Sequence, residues 1–372
     1  MLLSYEQRAI YRGEPAERVL CLVGDLDGDG QEEIVIGSRL PQANILWLGR
    51  SAAGEWLPHI LDDTLYTLEA GGFLADLDGD GDLDLVAGED WSGRCLYWWE
   101  RTDYPTLRWP RRLIFQMPAT GSHDQLVADL DGDGWPELYF WNQRAETLFW
   151  ARVPDDPRQS PWPDVAPLAT GVREEGLAAA DVDGDGRLEL VAGESWYRRT
   201  ATGWERHEYA QGFVSPRLAL ADLDGDGALE IAISEGDASL RGRQYGRLAV
   251  FHRPRLPEAP WEAEILHERL LDPHSLFAAD LDGDGKPELF VGEEGMPDGN
   301  DPHPPAQRIY KWQGGQPVEH IVAVGVSSHE AKPIRLQEGM GVVLKPYRNL
   351  RSQYPRPPES DTIQLLVPRR RG

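Results

Sequence analysis

Nine-residue segments of the form D-x-D-G-D-G-x-x-[DE] recur six times in this chain of 372 residues, starting at Asp25, Asp76, Asp129, Asp181, Asp222 and Asp280. Successive starts lie 51, 53, 52, 41 and 58 residues apart. A period of that length marks a repeat architecture, in which one supersecondary unit cannot bury its apolar faces alone and stacks on its neighbours. The chain is therefore constrained to build several copies of one small unit.

What surrounds the motif says which unit. Before it runs a short apolar segment ending in small residues, such as RVLCLVG before Asp25, GGFLA before Asp76 and SLFAA before Asp280. After it come residues rich in Val, Ile and Leu, then a polar loop, then a third apolar run such as ILWLG, LYWWE or LFWAR. A fourth run opens on an aromatic, at Trp56, Trp109, Trp162, Trp204 and Trp261. Such short runs between turn residues read as strands, and four antiparallel strands per repeat describe a propeller blade.

Counting the fourth-type runs adds a seventh unit with a degenerate motif. Within Ser327 to Tyr347, Arg335, Gln337 and Gly339 take the places of the first three aspartates, so no metal is expected there. The expected fold is all-β, a seven-bladed β-propeller of four-stranded blades in a single domain over residues 1–372. Its repeat units fall at about 4–50, 55–101, 107–153, 162–200, 203–253, 261–314 and 317–368. SYEQRAIYRG near the N-terminus is a fourth-type run without a blade, and TIQLLVP (Thr362 to Pro368) a third-type run without a successor. The two ends should complete one blade together and close the ring without an exposed sheet edge.

Within each motif, oxygen ligands stand at positions 1, 3, 5 and 9 of a tight loop with glycines at 4 and 6. That suits a hard cation taking six to eight oxygens, and calcium is the expected ion, about six in all. The expected ligands are Asp25, Asp27, Asp29 and Glu33; Asp76, Asp78, Asp80 and Asp84; Asp129, Asp131, Asp133 and Glu137; Asp181, Asp183, Asp185 and Glu189; Asp222, Asp224, Asp226 and Glu230; and Asp280, Asp282, Asp284 and Glu288. Position 7 holds Gln31, Asp82, Trp135, Arg187, Ala228 or Lys286, so its backbone carbonyl is the expected donor. An EF-hand is excluded: Ile36, Ala87, Phe140, Ala192, Ile233 and Val291 stand where its twelfth-position glutamate belongs, and strand-like residues follow instead of a helix.

The charge has the same origin. Acids outnumber basic residues by 63 to 37, but 24 of them sit in the six motifs and the other 39 nearly balance the bases. A net of −26 argues against nucleic acid and anionic membrane as partners. No apolar run approaches the roughly 20 residues that cross a bilayer. Met1 to Pro15 lacks the layout of a signal peptide, so an extracellular or periplasmic location would require a trimmed leader, and a native start at Met1 would imply the cytoplasm. Two cysteines, Cys21 and Cys95, lie in apolar runs, which excludes a disulfide scaffold.

These motifs resemble the FG-GAP or VCBS-type repeats found in the integrin alpha-chain propeller, a fungal seven-bladed lectin and some polysaccharide lyases. The resemblance spans essentially the whole chain and implies a calcium-binding propeller. The Phe-Gly and Gly-Ala-Pro flanks of integrin blades are replaced here by Gly-Glu-Asp (Gly88 to Asp90) or Gly-Glu-Ser (Gly193 to Ser195), which counts against an integrin-like role. His-Glu-Ala and Lys-Pro-Tyr in the seventh unit are similar to a bacterial subset of these repeats and, more weakly, to sugar-lactone or aldosulose dehydratase propellers.

In such propellers the calcium loops occupy one face, so chemistry would converge on the other. Six residues before the motif, three units carry histidine, His123, His274 and His329, where others hold Val19, Ala70, Glu175 and Pro216. Thirteen residues after the first aspartate stand Glu89, Glu194, Glu235 and Glu293, with Asn142 and Ser38 in the remaining two. Trp91 and Trp196 follow two of the glutamates, and Arg217 and Lys345 add positive charge. The histidines are expected to converge on a central mouth, with Glu175 as an added carboxylate, forming a sugar site or a second metal site. The glutamates have an equal claim to a structural role on backbone amides. Trp47, Trp98, Trp99, Trp141, Trp150 and Trp312 read as packing between blades. Prolines stiffen two long insertions, Gly292 to Gln307 and Lys345 to Ser360, and Arg348, Arg351 and Arg356 make the second locally basic, suiting an acidic ligand.

No nucleophile elbow, phosphate loop or dinucleotide fingerprint is present. The favoured reading is a monomeric, calcium-stabilised module binding carbohydrate or protein. The alternative is a metal-dependent lyase or dehydratase acting on sugars through the histidine cluster.

Overall fold

The computed structural model describes residues 4–14, 17–40, 45–64, 67–254, 260–295, 302–347 and 361–369. The insertion arginines Arg348, Arg351 and Arg356 lie outside the described residues, as does the centre of the insertion that starts at Gly292. The strands form seven antiparallel sheets of four, and the fold is an all-β, seven-bladed β-propeller. No helix among the described residues is long and apolar enough to cross a membrane.

Two compact bodies divide the chain, residues 13–177 in one and residues 1–12 with 178–372 in the other. In the first body, blade 1 pairs Arg18–Gly24, Glu33–Ser38, Ile45–Arg50 and Trp56–Asp62 in that order, and blades 2 and 3 repeat the order over residues 73–116 and 122–170. Blades 4, 5 and 6 run over residues 177–208, 216–270 and 275–324, all but Leu177 in the second body. Blade 7 pairs Glu330–Leu336, Gly339–Lys345 and Ile363–Pro368 with the N-terminal Tyr5–Tyr11, so the two chain ends share a sheet. Each sheet thus takes its outer strand from the following sequence repeat, and repeats counted from the aromatic run are one strand out of phase with the blades.

Burial follows strand position. Second strands such as Glu137–Asn142 and Glu230–Glu235 are buried at every residue, because both their faces are covered and alternation would leave a polar side chain inside. Fourth strands such as Trp56–Asp62 and Gly203–Glu208 form the half-solvated edge. Between blades 2 and 3 the core includes Val86, Trp98, Leu138 and Phe140. Within the second body, Val191, Ile231 and Phe251 pack between blades 4 and 5, and Val250, Leu289 and Tyr310 between blades 5 and 6. Phe290, Ile309, Val342 and Leu366 do the same between blades 6 and 7. Trp47, Trp98, Trp99 and Trp141 are fully buried. Cys21 is buried as well, whereas Cys95 is only partly covered.

Two local differences from the sequence expectation have simple causes. The 41-residue spacing into blade 5 arises because Gly193 and Glu194 alone join two strands of blade 4, with Ala192 paired to Ser195. Trp196 therefore lies on a strand beside Val191 and Tyr209, stacked 4.0 Å from His207, rather than in a loop at a mouth. In blade 7 the degenerate motif is cut to a turn at Gln337 and Glu338, because Leu336 pairs with Gly339. Arg335 sits on the strand that precedes the turn.

Candidate functional site

Each motif joins the first strand of its blade to the second, and its hydrogen bonds repeat from copy to copy. In blade 1, Asp25 accepts from the amides of Gly28 at 2.8 Å and Gly30 at 3.0 Å, Asp27 from Asp29 at 3.2 Å, and Asp29 from Gln31 at 2.8 Å. Glu33, starting the second strand, accepts the Leu26 amide at 2.8 Å. Gly28 and Gly30 have φ of 76° and 84°, which only glycine adopts without strain. The same pattern holds around Asp129, Asp181 and Asp222, with Glu137, Glu189 and Glu230 closing the loops onto Leu130, Val182 and Leu223. It holds around Asp76 too, where Asp84 closes onto Leu77 at 3.2 Å.

These bonds leave the second oxygens of positions 3, 5 and 9 as the donors that could face a cation. In blade 3, one oxygen from each of Asp129, Asp131, Asp133 and Glu137 lies within 4.8 Å of the others. Burial, reinforced by the neighbouring aspartates, pushes the Glu33 carboxyl up to about 8 and those of Glu137, Glu189 and Glu230 to about 7. Asp84 rises to about 7 for the same reason. A hard divalent cation fits this donor set, because it would supply the positive charge that four crowded carboxylates lack. The loop around Asp280 differs. Lys311 Nζ lies 2.5 Å from Asp282, 2.8 Å from Asp284 and 2.8 Å from Glu288. Burial acts to lower the Lys311 pKa, but these three bonds outweigh it and hold the ammonium above its ordinary range.

At the opposite end of the blades the equivalent positions diverge. His274 and His329 come together in the second body, their rings stacked 3.8 Å apart. His274 Nδ1 donates to the His329 carbonyl at 2.6 Å, which leaves Nε2 to accept from the Arg217 guanidinium at 2.5 Å. The Lys345 ammonium, fully buried, lies 2.9 Å from His329 Nδ1. Asp237 stands 3.8 Å from His274, and the Tyr347 ring 4.9 Å from that of His329. Arg217, Asp237 and Tyr347 are partly exposed and form the solvent-facing rim. Glu294 is close enough to share an ion with both histidines.

In the first body, His123 Nδ1 lies 2.9 Å from Asp124 and Nε2 3.8 Å from Glu175, which also accepts from Gln143 at 2.7 Å. Asp124 has φ 37° and accepts the Gly176 amide at 2.6 Å. Ser215 and Asp272, in the segments that precede His274 and the Arg217 strand, are left-handed as well, at 45° and 43°. Non-glycine residues held in that region cost about 1–3 kcal/mol each and cluster at functional sites. Trp91 has two guanidinium partners, Arg144 at 5.0 Å and Arg173 at 5.8 Å from its ring.

The four glutamates hold backbone. Glu89 accepts the Arg94 and Cys95 amides at 2.8 and 2.9 Å, and Glu194 that of Phe213 at 2.5 Å. Glu293 accepts from Leu271 at 2.9 Å and Ala306 at 2.6 Å, and Glu235 from Arg247 and Val214 together with the Arg243 guanidinium. Asn142 does the same work with its amide on Ala119 and Thr120. The sequence reading did not find Asp237 or Asp124, nor Glu294, which shares its offset with the acidic Asp90, nor the placement of Lys311, legible only once the third strand is registered against the second.

Among solved structures, this chain is similar to BBS1N in complex with ARL6DN, at 13% identity and a TM-score of 0.59 over 100% of this chain and 98% of that one. It is similar to the RRP9 WD40 repeats at 11% and 0.59, covering 99% of each chain, and to U3-55K at 11% and 0.56, covering 97% and 98%. At such identities the likeness shows the propeller fold alone. No curated protein sequence matches. The FG-GAP-like repeat matches over residues 25–87, 129–192 and 222–291, more than half of the chain. With three matched segments that begin on the motif aspartates and end in second strands, this β-propeller belongs to the FG-GAP-like repeat family.

Proposed function

We propose that the chain is a binding module in which calcium at the motif loops stabilises the scaffold and the opposite end recognises a carboxylate-bearing carbohydrate or protein ligand. The observation that carries the ligand class is the pairing of His274 and His329 with Arg217 and Lys345. An imidazole ligates a metal through a lone pair. The His274 lone pair is turned to a guanidinium and Nδ1 of His329 to an ammonium, so positive charge already stands where a metal would approach. Two cations beside the two imidazoles, with Arg217 and Tyr347 reaching solvent, suit an anionic group. The alternative, a metal-dependent lyase or dehydratase, is favoured by the reach of Glu294 to both histidines.

Titration of the calcium-loaded protein with uronic-acid oligosaccharides and glutamate-rich peptides, beside their neutral counterparts, tests this reading. Saturable binding of an acidic probe and none of its neutral twin is expected. Equal affinity for both would defeat the carboxylate assignment. A transition metal that co-purifies and is lost in His274→Ala would shift the balance to the enzyme.

A further inference from the structure

The register between the second and third strands places one residue of each blade opposite the motif's ninth position. Glu137 pairs with Arg152 in blade 3 and Glu230 with His252 in blade 5. Neighbouring pairs set the others: Ile34 against Leu48 puts Gly49 opposite Glu33, and Leu85 against Trp99 puts Glu100 opposite Asp84. Leu190 against Tyr197 puts Arg198 opposite Glu189, and Leu289 against Tyr310 puts Lys311 opposite Glu288. Motifs that look alike in sequence therefore face five different residue types, arginine twice.

Most of these partners touch the edge of their loop. Arg152 reaches the exposed Asp133 at 3.1 Å, Arg198 reaches Asp183 at 3.0 Å and turns to Glu205 at 2.8 Å, and His252 stays 3.7 Å from Glu230. Lys311 alone among the six brings one atom within 2.8 Å of three motif carboxylates. Two of the oxygens it takes, Asp284 Oδ2 and Glu288 Oε1, are those that remain once the amides of Lys286 and Leu281 are served, and the third is Asp282 Oδ2. An ammonium has three donors, and all three are used. The loop has adjusted to it. The amide of Asp284 bonds Asp280 at 3.1 Å and not Asp282, whereas in the other five motifs the fifth-position amide bonds the third-position aspartate, in the second motif together with Asp76. Asp282 Oδ1 is left buried without a hydrogen-bond partner among the described residues. Glu288 is fully buried and the Lys311 side chain about one-tenth exposed, so the ammonium cannot simply swing into water while a divalent ion enters.

We propose that Lys311 is the resident cation of the sixth motif, so that this loop takes no calcium and the chain binds five ions, not six. The proposal rests on the reading of the motif loops as calcium sites. Its consequence is that the blade that follows His274 keeps its motif loop closed when calcium is scarce, because that loop is neutralised by the chain itself.

The test is calcium stoichiometry by isothermal titration and by atomic analysis after equilibrium dialysis, on the full chain. The wild type should hold five ions, and Lys311→Met, which keeps the apolar stem and removes the charge, should hold six. Should that variant fail to fold, Asp280→Asn in the wild-type background should leave the count at five, while Asp25→Asn lowers it to four. Six ions in the wild type, five in Lys311→Met, or a loss on Asp280→Asn would each overturn the proposal and leave the calcium reading standing. No calcium in any of these proteins would overturn both.

Discussion

At the motif ends of the blades the same backbone-to-carboxylate hydrogen bonds recur from Asp25 to Asp222, whereas at the opposite ends the positions of equal offset hold Val19, Ala70, His123, Glu175, Pro216 and His274. A feature copied in every blade answers a need that every blade has, which is to close a turn and hold a strand pair. One that differs from blade to blade answers a need of the whole. The repeated end thus has the character of a scaffold, and under the proposed function the divergent end, where Asp124, Ser215 and Asp272 are held in left-handed conformations, is where recognition would take place.

The largest effect should come from removing calcium. A site at 100 times its dissociation constant contributes about 2.7 kcal/mol, and at about 2–4 °C per kcal/mol for a mid-sized domain several sites together are worth roughly 10 °C or more. Differential scanning calorimetry with and without excess chelator measures it. An unchanged melting curve would break the scaffold half of the comparison.

Next in size is a change that sharpens the boundary between the two ends. Glu235 lies at the divergent end but is fully buried and bound to Arg243, Arg247 and two backbone amides. Breaking a buried ion pair from one side costs about 3–5 kcal/mol, so Glu235→Ala should lower the urea midpoint strongly. A loss below about 1 kcal/mol would show that this glutamate belongs to the ligand site and not to the frame.

The fold was legible because it rests on counting. Six motifs, four apolar runs per repeat and two unmatched end runs lead directly to seven blades, with Tyr5–Tyr11 beside Ile363–Pro368. The divergent end was legible only as a set of residue names. Offset placed His274 and His329 at one height, but nothing in the sequence says that Arg217 and Lys345 turn to their ring nitrogens. The shared offset of Glu89, Glu194, Glu235 and Glu293 does not say which backbone amides each one binds. Trp196 was read as a mouth residue because a glutamate precedes it; the tight turn at Gly193 and Glu194 moves it into a strand. Lys311 shows the same limit, since its role depends on which residue faces Glu288 across two strands.

Acidity offers a smaller effect of defined sign. In the calcium-free protein the carboxyls of Glu33, Asp84, Glu137, Glu189 and Glu230 sit at about 7 to 8 through burial, above their unfolded values near 4. The native state then binds more protons than the unfolded one between those limits, so stability is greatest at the acid side of the window and falls as pH rises through it. Melting temperatures in chelator should drop by several degrees from pH 5 to pH 8, and saturating calcium should remove the slope. A calcium-free protein that grows steadily more stable over that range would contradict the crowding of charge in the loops.

The smallest effect on stability should accompany the sharpest effect on binding. Arg217 is partly exposed, and its guanidinium reaches His274 Nε2 at 2.5 Å from the solvent-facing rim of the cluster. Arg217→Gln keeps a donor and much of the stem, so its cost to stability should not exceed that of one typical hydrogen bond, about 0.5–1.5 kcal/mol. A hydrogen bond to a charged group is worth about 1.5–3 kcal/mol, so the affinity for an acidic probe should fall roughly 10- to 100-fold, while affinity for any neutral ligand is unaffected. Calorimetric titration beside a urea melt reads both quantities on one preparation. If the variant unfolds early yet binds the acidic probe as the wild type does, Arg217 is part of the frame, and the division between a repeated scaffold and a divergent recognition end has been drawn in the wrong place.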